Sequence, residues 1–223
     1  MFPARPGGLD ELGGAALTDA PRVSRRRAVI TVALGLLPSG VLVGGLWAWI
    51  APAIHGVVAL ADDGERLHDY LGNESDHFFV AAFMMLGLLN VVAVIAPVLV
   101  WQWRHHRGPT MVAGLCLGMA GAAALAATTA ALLVRLHYGA VNFDAAPVTR
   151  ENRVYYFTEA PPVFFGHTPL QAACTLLAPV ATAALVYAVL AAATARDDLG
   201  GYPPAETDAA RPLTADVGAA SVQ

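Results

Sequence analysis

The chain has 223 residues, of which 57% are hydrophobic and only 13% charged. A soluble domain carries about 25% charged residues, so this composition points to a bilayer. The net charge of −4 excludes the strongly basic footprint of a nucleic-acid binder. All 13 cationic residues are arginine, and with the abundant Ala and Gly this reads as a high-GC bacterial composition.

Residues 1–27 hold Gly, Pro, Ala and Arg with no apolar helical period, which predicts a disordered tail ending in the basic cluster Arg22, Arg25, Arg26 and Arg27. From Ala28 to Ile54 there is no charge, a run long enough to span a core of about 30 Å with some tilt. Ser24-Arg25-Arg26-Arg27 followed by Ala51-Pro52-Ala53 has the look of a twin-arginine signal with a cleavage site. The apolar run far exceeds the roughly 7–15 residues of a signal peptide, so an uncleaved helix is expected.

Three more uncharged runs follow, Phe78–Trp103, Pro109–Val134 and Thr168–Ala195. Trp47, Trp49, Trp101, Trp103 and Tyr187 near their ends match the aromatic belt of membrane interfaces. Arg22, Arg25, Arg26, Arg27, Arg104, Arg107 and Arg196 fall on one side, against Arg66, Arg135, Arg150 and Arg153 on the other. The bias puts both termini and the short turn Arg104–Gly108 in the cytoplasm. Two longer loops, about 55–77 and 135–167, then lie outside, and 196–223 reads as a second disordered cytoplasmic tail. The fold class is an all-α four-helix transmembrane bundle, with residues 28–195 as the membrane domain.

Helices in lipid associate through small residues. Gly40-x-x-x-Gly44 in the first span and Gly114-x-x-x-Gly118 in the third mark packing faces and predict that these two spans are central. Pro38, Pro97 and Pro179 should loosen the first, second and fourth spans, because each removes a backbone donor. Asn90, mid-span, predicts an interhelical hydrogen bond to Thr128 or Thr182. No Asp, Glu, Lys, Arg or His lies inside a span, which argues against a proton-coupled transporter or ion channel. Cys116 and Cys174 fall at depths differing by more than about 10 Å, too far apart for a disulfide.

The titratable residues gather on the outer side. The first loop carries Asp62, Asp63, Glu65, Asp69, Glu74 and Asp76 with His55, His68 and His77; the second adds His137, Asp144, Glu151, Glu159 and His167. Glu65…His68 and Glu74…His77 have a spacing that shares one helix face, as a zinc site would use. An outer loop is acidic for solubility alone, however, so no metal ligand is assigned; a zinc site there would be lost on removing His68 and His77 together. Asp76 reads as the N-cap of the second span and Arg135 as a cation at the C-terminal end of the third, where it can pair with Asp76 or Glu74. Glu74, His77, Arg135, Glu159 and His167 form the candidate outer polar pocket. There is no GxSxG, HExxH, Walker loop or GxGxxG, so no catalytic residue and no cofactor are assigned.

The second loop is unusually aromatic. Tyr155, Tyr156, Pro161, Pro162, Phe164 and Phe165 predict either a lid folded over the helix ends or a surface for a partner protein. His105 and His106 between Arg104 and Arg107 read as a juxtamembrane cluster that attracts anionic lipid headgroups.

Several blocks resemble uncharacterised four-pass membrane proteins of mycobacteria and related actinobacteria. They are Leu71–Glu74 with His77–Ala82, Val98–Arg104 with Arg107–Pro109, Glu159–His167, and Arg196–Tyr202. The resemblance covers about residues 28–204. It implies a bacterial inner-membrane protein and supplies no activity. The expected function is a non-enzymatic accessory protein that organises partners in the cell envelope, with membrane lipids as neighbours. The alternative is a small envelope enzyme or lipid-handling protein using the outer pocket.

Overall fold

The computed structural model describes residues 24–139, 142–143, 145–166 and 168–194. Both predicted tails, apart from Ser24 to Arg27, lie outside the described residues. The elements in chain order are α1 (Arg25–Gly35), α2 (Leu37–Ile50), β1 (Ile54–Leu60), β2 (Arg66–Tyr70), α3 (His77–Trp101), α4 (Pro109–Tyr138), β3 (Val154–Glu159) and α5 (Pro169–Ala192). Short 3-10 turns at Glu74–Asp76 and Arg104–His106 complete the set. Taken together α1 and α2 make one helical stretch, and it, α3, α4 and α5 are each long and apolar enough to cross a membrane.

The all-α expectation needs correction. β1, β2 and β3 form an antiparallel sheet in the order β2-β1-β3, with Gly56 opposite both Tyr70 and Phe157. The cause is local. Pro52 disfavours helical geometry at the residue before it, and Ala51 is extended at φ −65°, ψ 132°. The chain therefore leaves the helix at Ile50, and Ile54 goes to a strand and not to the first span. Beyond it Ile54, Gly56, Val58 and Leu60 alternate with His55, Val57 and Ala59, the period of a strand with one covered face.

The N-terminal boundary also moves. Arg25, Arg26 and Arg27, expected in the tail, form the first turn of α1, and the Ser24 hydroxyl caps it by accepting the Arg27 N–H at 3.4 Å. Pro38 divides the first span at Leu36. Pro97 and Pro179 are buried inside continuous helices. α4 runs on to Tyr138 and stops at Gly139, whose φ of 75° suits glycine and whose N–H returns to the Arg135 carbonyl at 3.0 Å.

α4 is the central helix. α1 and α2 pack along one side of it, α5 along another, and α3 lies mainly against α5. The first span hugs α4 but turns its remaining faces outward, so only the third span is central. Much of the interior along α4 is made of small side chains, with Ala122, Ala123, Ala126 and Ala130 fully buried. Many large apolar ones face out, among them Leu42 at 73% exposure and Trp49 at 83%. That inversion suits lipid, where tight contact and not escape from water drives association. A Cβ on Gly40 or Gly44 would overlap the carbonyl oxygen of Ala122 or Ala126; one on Gly118 would come within 2.8 Å of the Ala33 Cα. On Gly114 it would meet Val29 Cγ1 at 2.8 Å.

Two of the interface aromatics are instead interior. Trp47 is fully buried and donates its indole N–H to the Ala81 carbonyl at 2.7 Å. Tyr187 is buried beside Trp101 and accepts the Gly108 N–H at 3.1 Å. Asn90 accepts the Thr182 hydroxyl at 2.7 Å and donates to the Leu86 carbonyl at 2.9 Å; Thr128 bonds within its own helix. Cys116 and Cys174 are free.

Candidate functional site

The sheet stands at the end of the bundle where α2 ends and α3 begins. Its inner face is a small second core of Val58 and Phe157 with Ala146 and Val148, which Phe143 and Tyr70 flank. Gly56 is there because Phe157 occupies the space: a Cβ would run into the ring. Arg66 holds the covering segment by donating to the Phe143 and Ala146 carbonyls at 3.2 and 3.1 Å. His68 stacks on Phe143, with centroids 5.0 Å apart. Because His68 lies on a strand, the helix-face spacing with Glu65 does not apply to it.

The 3-10 turn puts Glu74 just ahead of His77. One carboxylate oxygen, Oε2, lies 2.9 Å from His77 Nδ1 and 3.2 Å from His55 Nδ1, and accepts the His55 backbone N–H at 3.1 Å. His77 Nδ1 is also 2.8 Å from the Ala53 carbonyl oxygen. Both neighbours of that nitrogen are acceptors, so His77 carries its proton on Nδ1. Glu74 and His77 together thus tie β1, the linker after α2 and the start of α3. Both imidazoles turn Nδ1 toward the same carboxylate oxygen. Among the described residues no three His, Cys, Asp or Glu side chains are grouped to hold a metal ion.

Glu159 sits opposite Ile54 on β3 and accepts from the Tyr70 hydroxyl at 3.3 Å. Burial raises the Tyr70 phenol above its ordinary range, and the charge and hydrogen bond of Glu159 raise it further. Tyr70 rests edge-on against Phe78 at the top of α3, with centroids 5.2 Å apart. Arg135 is exposed in the last turn of α4 and joins none of the ion pairs among the described residues, so the expected pairing with Asp76 or Glu74 is not made. Asp76 makes no side-chain cap either: its φ of −68° and ψ of −24° continue the 3-10 turn, whereas a capping residue needs extended backbone. His167 lies outside the described residues. Of the five pocket residues, then, Glu74 and His77 touch, Glu159 partners Tyr70, and Arg135 stands apart.

The aromatic segment divides in two. Tyr155 and Tyr156 lie in β3 on opposite faces of the sheet. Pro161 and Val163 are buried, Phe164 packs on the main core, and Phe165 meets Phe83 of α3 edge-on at 4.7 Å. Pro162 is half-buried between them. The chain then enters α5 through a capping box of Thr168 and Gln171. His55 and Tyr70 are the site residues that loop reasoning underrated. Their signal was the alternation that begins at Ile54.

Residues 36–201 match the family described as a protein of unknown function, DUF2567. The chain belongs to this family. The DUF2567 match covers the sheet and every helix but α1, which ends at Gly35. The chain is similar to the "Uncharacterized protein Rv1591" of Mycobacterium tuberculosis, 63% identical over 171 residues, 76% of this chain and 89% of the relative. It is also similar to the "Uncharacterized protein ML1222" of Mycobacterium leprae, 59% identical over 185 residues, 83% of this chain and 93% of the relative. No solved structure matches the chain.

Proposed function

We propose that this protein is a four-pass component of the bacterial cytoplasmic membrane, with both termini in the cytoplasm, and that it acts as a non-enzymatic accessory presenting its sheet to a partner in the cell envelope. One observation carries this reading. The outward face of the sheet carries an apolar patch that reaches all three strands, with Asp69, His55 and Thr158 beside it. Leu67, Ala59 and Val154 form one cross-strand rank, and Val57 and Tyr156 stand in the next beside Asp69. Leu67 is 53% exposed and Tyr156 67%. An apolar surface of this kind beyond the ends of the helices suits a protein interface. Glu74 and His77 are engaged in holding sheet to bundle and Glu159 bonds Tyr70 within the sheet, which leaves an enzyme or lipid-handling pocket built from Glu74, His77, Arg135, Glu159 and His167 with less support.

The test is purification of the tagged full chain in several mild detergents. A partner that co-purifies with wild type and is lost from Leu67→Glu/Tyr156→Glu supports the reading. Recovery of the lone protein in every detergent overturns it. Orientation is read separately. An impermeant thiol reagent on whole cells should label a cysteine placed at Tyr156 and spare one placed at Gln102; the opposite pattern inverts the topology.

A further inference from the structure

We propose that the seam between the first span and α3 holds an acyl chain of an anionic phospholipid, whose phosphate lies against Arg27 and Arg104. The proposal rests on the membrane reading but not on its orientation: the leaflet concerned is the one at which Arg25–Arg27 emerge.

The packing of the bundle leaves this seam open. α1 and α2 follow α4, α4 adjoins α5, and α5 adjoins α3, but the contact that would close the ring, between the first span and α3, is slight. On one side stand Thr31, Gly35 and Ser39, on the other Ile95, Leu99 and Trp103, around a groove of ≈ 500 Å³. The break at Leu36 and the missing side chain of Gly35 make the room.

The groove is apolar to an occupant even where its residues are not. The Thr31 hydroxyl donates to the Arg27 carbonyl at 2.9 Å, and Ser39 donates to the Leu36 carbonyl at 2.6 Å. Each hydroxyl is thus spent on its own helix. Along α3 the lining begins at Val92 and runs to the helix end at Trp101, a rise of about 14 Å. That is close to half of a hydrocarbon core of about 30 Å, the depth of one leaflet.

At the mouth the charge is one-signed among the described residues. Arg27 precedes Thr31 by four residues and so stands on the same face of α1, one turn nearer the headgroups. Helical side chains lean toward the N-terminus, which carries its guanidinium further out. Arg104 follows Trp103 directly. Among the described residues no acidic side chain pairs with Arg25, Arg26, Arg27 or Arg104. An apolar slot of leaflet depth beneath arginines that pair with no acid among the described residues matches a lipid with an anionic head.

The experiment is native mass spectrometry of the full chain in neutral detergent, with equimolar phosphatidylglycerol and phosphatidylcholine of identical acyl chains. Wild type should retain the anionic lipid about tenfold or more over the zwitterionic one. Arg27→Gln/Arg104→Gln should bring that ratio near one. Gly35→Leu, at a position where an added Cβ meets nothing within 4 Å, should lose both lipids. On unaltered protein, phosphatidylglycerol with brominated chains should quench tryptophan emission more than its phosphatidylcholine counterpart, and Trp103→Phe should remove that difference. Equal retention of the two lipids by wild type overturns the proposal. So does a preference that survives loss of both arginines, full retention in Gly35→Leu, or a dimer that Gly35→Leu dissociates.

Discussion

Trp47 donates its indole N–H to the carbonyl oxygen of Ala81, 2.7 Å away, with the ring wholly out of solvent. This bond crosses from α2 to α3 near the end that carries the sheet. It closes at that end the same pair of helices that stand apart around the groove at the other.

Trp47→Phe should therefore lower stability by about 1–2 kcal/mol, the loss of one buried hydrogen bond plus a small packing defect. Trp47→Ala should cost about 3–5 kcal/mol, because a cavity adds to that loss. Reversible unfolding in mixed micelles measures both. Equal stability of the Phe variant and wild type would deny the bond any energetic role.

The glycines of the first span make a sharper contrast. Gly40→Val and Gly44→Val push a side chain into the α4 backbone and should cost at least about 1–3 kcal/mol each, since backbone cannot step aside as a side chain can. Gly45→Ala and Gly87→Ala place a methyl in open space and should be neutral or slightly stabilising through helix propensity. The same unfolding assay ranks the four, and an equal loss at Gly40 and Gly45 would contradict the packing.

The four long helices were legible because an uncharged stretch of about 20 residues is a coarse and robust signal. The glycine pairs were legible too, as small residues at a repeated helical spacing. The sheet was not. Ile54 adjoins the apolar run of the first span, and the alternation after it is blurred by Gly56, an inner-row residue without a side chain. The partner of Glu74 was sought on α4, at the same end of the bundle. The register Gly56↔Tyr70 instead folds His55 back beside it. Depth alone left two partners open for Asn90, and only the neighbouring positions of α3 and α5 select Thr182.

Tyr70 gives a pH test. Its phenol titrates above the ordinary tyrosine range in the folded protein, through burial first and the Glu159 carboxylate second. For an acid whose folded value is raised, the neutral form is the one folding favours. That contribution is intact below the unfolded tyrosine value and is lost as pH rises through the folded one. The ultraviolet titration of wild type minus Tyr70→Phe should show a late-ionising phenol. Glu159→Gln should move it part of the way back, because burial, the larger cause, stays. An ordinary titration for Tyr70 would remove the basis for its bond to Glu159.

The bond between Thr182 and Asn90 joins α5 to α3 in mid-helix. Polar pairs between membrane helices average about 0.6 kcal/mol and rarely exceed about 1.7, because the separated helices also find partners. Thr182→Val should cost about that much, since Asn90 keeps its bond to the Leu86 carbonyl but loses the donor to its own oxygen. Asn90→Leu should cost little more, for Thr182 can still donate to the Ala178 carbonyl at 3.1 Å. The double variant isolates the coupling in a thermodynamic cycle. A coupling energy of zero would mean that each side chain is satisfied by its own helix, and that α3 is held to α5 by packing alone.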